Sequence, residues 1–255
     1  MSNYDLTYLS FGAGVQSTAL LAMCVLGESG FPRPDVVVHA RTQSELADTD
    51  RHLEFMCAWC AERGVQVLLP TAGSLEDAQL GLVPSRANGF TVSIPAFTES
   101  GGMLRRQCTR HHKVEVITRA IREHLGLLPG QRAGKLRVRA LLGISADEAD
   151  RMKPSRESWI ENAWPLVDVR MGRWDCEDAI RRLGLPVPPK SSCVFCLSGN
   201  TEVVTRRGIK PIRDLVGGKH ELLVPTKGKL GGLSSNGSFK AARVEAFGKQ
   251  ALFEV

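Results

Sequence analysis

A parallel-sheet α/β domain followed by a small all-β unit is the fold class this sequence predicts, and three observations predict it. Over the first 190 residues, strand-like apolar runs alternate with helix-like segments, the pattern of a parallel sheet covered by helices. A glycine-containing turn, SFGAGVQST at Ser10–Thr18, stands where the first strand hands over to the first helix. After Cys196 the helical periods stop, and short β-type runs alternate with glycines. Two domains are therefore expected, residues 1–195 and residues 196–255.

In chain order, YDLTYLS at residues 4–10 reads as the first strand and Ser17–Glu28 as the first helix. DVVVHA at Asp35–Ala40 reads as a second, fully buried strand, since its apolar run is continuous. A helix over roughly 48–63 and a strand at Val65–Leu69 complete a βαβαβ order. Residues 71–107 are rich in Gly, Pro, Ser and Thr and poor in periodic runs, so they read as a long loop. Helix returns at Thr109–Leu125, strand at Leu136–Leu142, a short helix at Ala146–Arg151, and a helix at Asp175–Leu183 that ends before Pro186. In the second domain TEVVT, HELLV, ARVEAF and ALFEV are strand candidates, and TKGKLGGLSSNGSFK between two of them has the composition of a hairpin loop.

Bulk properties narrow the function classes. The chain has 255 residues, 43% of them hydrophobic, enough for a sizeable core. No basic-then-apolar leader opens it, and no run approaches the ~20 apolar residues of a membrane span, so no membrane partner and a cytoplasmic location are expected. Seven cysteines in such a context favour reduced thiols used for metal or chemistry over a disulfide framework. The net charge of +6 is uneven: 10 of 33 Lys and Arg, and 5 of 27 Asp and Glu, fall in residues 196–255, which leaves 23 against 22 before them. With the excess on the tail and no aromatic-basic interleaving, a nucleic-acid partner is not expected.

Ser10–Thr18 offers what a phosphate needs. Gly12 and Gly14 let the chain turn and expose N–H groups, Ser10, Ser17 and Thr18 carry hydroxyl donors, and the following helix presents the positive end of its dipole. A plain glycine turn has the same composition, but the placement after the first strand of an α/β pattern favours a ligand. Arg105, Arg106, Arg110 and Lys113 surround Cys108, and Arg151, Lys153 and Arg156 follow ISADEADRM; these read either as an oxyanion grip or as a solvated charged face.

SFGAGVQST resembles the SGGxxS signature of the PP-loop, or adenine nucleotide alpha-hydrolase, superfamily in its PAPS-reductase-like branch. GMLRRQCTRHHKVEVI, LLGISADEADRMKPSRESWIENAWPL and PPKSSCVFC are similar, in the same order, to signatures of phage and bacterial PAPS-reductase-like proteins. The resemblance covers about residues 4–196. It implies an enzyme that binds ATP or a related adenine nucleotide, with or without Mg, at Ser10, Gly12, Gly14, Ser17 and Thr18, with Arg110 and Lys113 near the phosphates, and that splits ATP between its alpha and beta phosphates. Where the family often carries an acidic residue in a D-T-G-like run after the second strand, this chain reads His39, Ala40, Arg41, Thr42, Gln43, and Arg41 reverses that charge.

Cys193 and Cys196 form a C-x-x-C on a Pro- and Ser-rich stretch, and Cys108 and Cys176 lie in family-like contexts. The four thiols are a candidate set for zinc or an iron–sulfur cluster. Cys24, Cys57 and Cys60 read instead as core residues.

From Cys196 onward, CLSGNTEVVTRRGIKPIRDLVGG resembles the first block of inteins and Hint domains, C-x-x-G-[DN]-T-x-V followed by G-x-x-x-I-x-x-L. The resemblance implies that the Cys196 thiol attacks the carbonyl of Phe195 to give a thioester, with Asn200 and Thr201 beside the scissile bond. A T-x-x-H segment, a terminal His-Asn and a second nucleophile do not occur in 196–255. Residues 196–255 are therefore either the N-terminal half of a split intein, with a complementary C-fragment and its C-extein, acidic to match the basic tail, expected as partner, or a piece of a longer intein. The alternative is a PP-loop protein whose non-splicing β tail binds a metal or a partner.

Overall fold

In the first unit of the fold, Leu6–Ser10 (β1), Val36–Val38 (β2), Gln66–Leu68 (β3), Val138–Leu142 (β6) and Ile160–Ala163 (β7) form one five-stranded sheet in the order β3-β2-β1-β6-β7. All four pairings are parallel, and β1 lies between β2 and β6, with Ser10 opposite Val38 on one side and Leu142 on the other. The computed structural model describes residues 3–75, 77, 96–97, 103–104, 108–189, 191, 202–215, 219–227, 233–247 and 250–254. They divide into two compact units, Met1–Ala96 with Met103–Cys193, and Phe97–Gly102 with Val194–Val255.

The helices of the first unit are Val15–Leu26 (α1), Ala47–Ala61 (α2), Glu115–His124 (α3), the single turn Pro165–Asp168 (α4) and Arg173–Arg182 (α5). Alternation along the strands sorts them onto two faces of the sheet. Leu9, Val37 and Leu141 join α1, α2 and α5 in one apolar cluster, whereas Tyr8, Val36, Val38, Val138 and Ala140 pack with Ala120 and Ile121 of α3 in another. Strands buried on both sides explain the unbroken VVV of β2. Ten of the 12 residues of α1 are buried, as expected for a helix that is apolar nearly all round, and each fully buried Leu such as Leu20 or Leu21 contributes about 1.5–3 kcal/mol.

The chain builds β1, β2 and β3 in one direction across the sheet, then returns to the other side of β1 to lay down β6 and β7. The order reverses between β1 and β6, and ligands of such sheets collect outside the carboxyl ends at that point.

The expected strands and helices of this unit are present within a few residues of their sequence-read limits. Outside the loop 71–107, two elements were not expected. β7 has the sequence IENA and little intrinsic β preference, and it exists because it pairs with β6 over Val138–Leu141. The α4 turn begins on Pro165, a residue suited to a first helical position. The expected helix at Thr109–Leu125 opens with a π-helical turn, Arg110–Val114, before the α-helix proper. In the long loop 71–107, Ala96–Phe97 (β4) and Met103–Leu104 (β5) pair as a two-stranded sheet.

The second unit is all-β. Glu202–Thr205 (β8), Gly208–Pro211 (β9), Lys219–Lys227 (β10), Leu233–Phe247 (β11) and Gln250–Glu254 (β12) form an antiparallel sheet in the order β12-β11-β10-β8-β9. The four strand candidates all lie in it, but the expected hairpin loop over TKGKLGGLSSNGSFK is largely strand. Leu222, Leu223, Val224 and Pro225 pair with Lys240, Phe239, Ser238 and Gly237, and only residues 228–232 separate the two strands. A long partner strand overrides the local preference of Gly and Ser.

Candidate functional site

The first turn of α1 starts at Val15, and Gly14 before it has extended backbone, φ −106° and ψ 175°. Ala13 adopts φ 53°, a left-handed conformation inside the SFGAG turn. The Ser17 hydroxyl folds back into this turn: it accepts from the N–H groups of Gly12 and Gly14, both at 3.2 Å, and donates to the Gly14 carbonyl at 3.1 Å. No acidic residue occupies the first turn of α1, so the positive end of its dipole is uncompensated there.

This turn opens into a cavity of about 840 Å³ at the carboxyl ends of β1, β2 and β6. Ser10, Gly12, Gly14, Ser17, Arg110 and Lys113, all named from the sequence, line it together. Thr18 is a correction: it is fully buried on the other side of the helix, where its hydroxyl pairs with His52 Nε2 at 3.0 Å, and it does not line the cavity. Among the described residues Arg151, Lys153, Arg156 and Arg173 add four cations to the wall, against one carboxylate, Glu148, which is engaged by Arg151. Arg110 is paired with Glu115 at 2.7 Å and Arg173 with Glu177 at 3.4 Å. Arg105 and Arg106 lie outside the described residues.

Three wall positions escaped sequence reasoning. Gly143, just past β6, touches the first turn of α1: a Cβ there would lie 2.8 Å from both the N and the Cα of Ser17. Ser191 reaches back over the turn, so that a Cβ on Gly14 would lie 2.7 Å from its Oγ. His39, at the end of β2, is 5% exposed and forms part of the wall. Its Nδ1 hydrogen-bonds the Phe11 carbonyl at 2.8 Å, and its Nε2 is buried with no partner among the described residues. A small residue at the end of a strand flanking the switch point was the legible signal for Gly143; the other two contacts depend on tertiary placement.

Arg41, the reversed charge, stands outside the cavity wall. It faces Asp50 of α2 at 3.4 Å and bridges to Thr71, so the reversal adds no cation to the site.

Cys176 is fully buried on α5 within the apolar cluster around α1, and burial pushes its thiol up to about 12. Cys108 is buried at the start of the 108–124 helical stretch, and Cys193 and Cys196 lie outside the described residues, as do Phe195, Asn200 and Thr201. No three His, Cys, Asp or Glu side chains converge as a metal site among the described residues. Cys24 and Cys60 are core residues and Cys57 packs against the same cluster, as expected. No described helix is long and apolar enough to cross a membrane.

Three imidazoles make the unit acid-sensitive. His39, His52 and His112 are each held below the ordinary value of 6.5, chiefly by burial; at His39, the Phe11 carbonyl and Glu45 act against the shift, and Lys113 and Arg41 act with it. Because the folded-state values are the lower ones, the unfolded chain binds more protons in the window beneath 6.5. The stability they contribute is fully present above that value and is lost as pH falls below it. Urea midpoints measured at about pH 7.5 and about pH 5.5 are expected to be lower at the acid pH; equal midpoints would show that the imidazoles are not held neutral.

No protein-family model matches the chain, and no curated protein sequence matches it. Among solved structures, the U34-tRNA thiolase NcsA from Methanococcus maripaludis, determined with its [4Fe-4S] cluster, aligns at a TM-score of 0.39 and 11% identity over 75% of this chain. The alignment spans 60% of the length of the thiolase. The functional reading therefore rests on the residues of this chain.

Proposed function

We propose that the first unit is a PP-loop enzyme of PAPS-reductase-like type, which binds ATP or a related adenine nucleotide with its phosphates on the Ser10–Ser17 turn. The observation that carries this reading is the coincidence of that turn, the uncompensated start of α1 and a cation-lined cavity at the one point where the strand order reverses. The phosphates take the N–H groups of Gly12 and Gly14 in place of the Ser17 hydroxyl. Lys113, Lys153 and Arg156 neutralise the charge of a leaving pyrophosphate when an acceptor attacks the alpha phosphorus. Among the described residues the one wall carboxylate, Glu148, is held by Arg151.

Calorimetry with ATP tests the site. Wild type is expected to bind, and a Gly14→Trp, Ser17→Ala double variant to lose at least about tenfold in affinity, because the indole displaces Ser191 and fills the turn. Equal affinities would remove the nucleotide from this loop.

The second reading concerns residues 196–255, which we propose are the N-terminal part of an intein that acts through a Phe195–Cys196 thioester. It is favoured by the CLSGNT motif and by the change at the same point from a parallel α/β unit to an antiparallel all-β one.

A further inference from the structure

A second cavity, of about 500 Å³, adjoins the phosphate cavity along α3, and Arg110, Val114, Thr118, Ser155 and Arg156 belong to both walls. Arg110, Val114 and Thr118 are spaced four apart and form one row along the helical stretch. Lys113 and Ile117, on one flank of that row, line the phosphate cavity, whereas Glu115 and Arg119, on the other flank, line the second.

Charge separates the two. Among the described residues the phosphate cavity has six Lys and Arg against Glu148, whereas the second has four Arg against three Glu. A polyphosphate is therefore held in the first, and a ligand of the second carries little net charge. Most charged groups of the second wall are already engaged. Arg110 pairs with Glu115 at 2.7 Å, Arg122 donates to the carbonyls of Leu128 and Gln131, and Glu157 accepts from Trp159 Nε1 at 3.0 Å. Arg156 borders the phosphates. That leaves Arg119 and Glu123, one helical turn apart on α3, each without an ion pair or hydrogen bond among the described residues. Val114, 49% exposed, lines the same space with Leu127 and Pro129, so one cation and one anion stand beside an aliphatic surface. No aromatic side chain lines it among the described residues, so it lacks the stacking surface that a nucleic-acid strand uses.

We infer that the second cavity binds the second substrate, a small amino carboxylate of the amino-acid class. Arg119 takes its carboxylate, Glu123 its ammonium group, and Val114, Leu127 and Pro129 its aliphatic part. This rests on the nucleotide reading of the adjoining cavity and adds to it the chemical class of the molecule that meets the nucleotide there. The ligand's own aliphatic part covers the two ion pairs against water, which makes them stronger than the same pairs on an open surface.

The test titrates the standard L-α-amino acids, β-alanine and γ-aminobutyrate into the full chain by ligand-observed NMR. Each is run with and without saturating α,β-methylene-ATP, which cannot be split between its alpha and beta phosphates. At least one member is expected to bind the nucleotide-loaded chain, and its primary amide and its des-amino acid should each bind at least about fivefold more weakly. On wild type this needs no variant to fold. Arg119→Gln and Glu123→Gln should each weaken the same amino acid at least about fivefold, with affinity for α,β-methylene-ATP kept within about twofold of wild type. The proposal is overturned if no member of the panel binds, if the amide and the des-amino acid bind as well as the amino acid, or if both variants bind it as wild type does. Failure of α,β-methylene-ATP to bind overturns the nucleotide reading instead, and the nucleotide-free titration then decides the second cavity by itself.

Discussion

Gly143→Ala is expected to destabilise the first unit by about 1–3 kcal/mol and to weaken nucleotide binding by at least about tenfold. One methyl group has this effect because of what it meets. Its carbon would lie 2.8 Å from the N and Cα of Ser17 and 3.1 Å from its Cβ, closer than non-bonded carbons approach. Neither side can yield cheaply: Leu142, the residue before Gly143, is paired with Ser10 in the middle of the sheet, and Ser17 lies in the first turn of a helix buried along most of its length. The strain must push the start of α1 off the end of β6, which moves the N–H groups of Gly12 and Gly14 proposed to hold the phosphates. Urea unfolding and ATP calorimetry on the same preparation check both halves; an Ala variant with wild-type midpoint and affinity would show that this contact does not set the loop.

Cys196→Ala is expected to abolish thioester chemistry at the Phe195–Cys196 bond altogether, because no other group can take the place of the attacking sulfur. Mixed with a cognate C-fragment, the wild-type chain should yield a host joined at Phe195, and with added thiol alone it should be cut after Phe195. Mass spectrometry distinguishes the two products. Association should slow at high salt, since residues 196–255 carry five more Lys and Arg than Asp and Glu and steer an acidic partner. If the Ala variant ligates as well as wild type, or if neither product forms with a cognate partner present, the all-β unit is a non-splicing tail.

Most of the first unit was legible because its elements obey local rules. The VVV of β2, the apolar wrap of α1 and the glycines of the Ser10–Ser17 turn each state their environment in the residues themselves. β7 was not legible, because IENA becomes a strand only beside β6, and the strand part of LSSNGSFK was not, because Gly237 and Ser238 are held by Pro225 and Val224 across the hairpin. At the site, the glycine turn was legible in the sequence but its walls were not. Thr18 was assigned to the phosphates by its position in the motif, whereas helical geometry turns it toward His52. Cys176 lies in the core with Ala179 and Ile180, a placement that the periodicity of α5 already states.

The contact of Ser191 with the Gly14 turn ties the site to the order in which the chain is made. Gly14 and Ser191 are 177 positions apart, and at about 5–20 residues per second the ribosome adds the second roughly 9–35 s after the first. Throughout that interval the Ser10–Ser17 turn has one wall missing, with β6 still to be paired for part of it. On the proposed nucleotide reading, full affinity is expected only once Ser191 has left the ribosome and reached the turn, so that retention of ligand by stalled nascent chains of increasing length would mark the moment at which the first unit becomes whole.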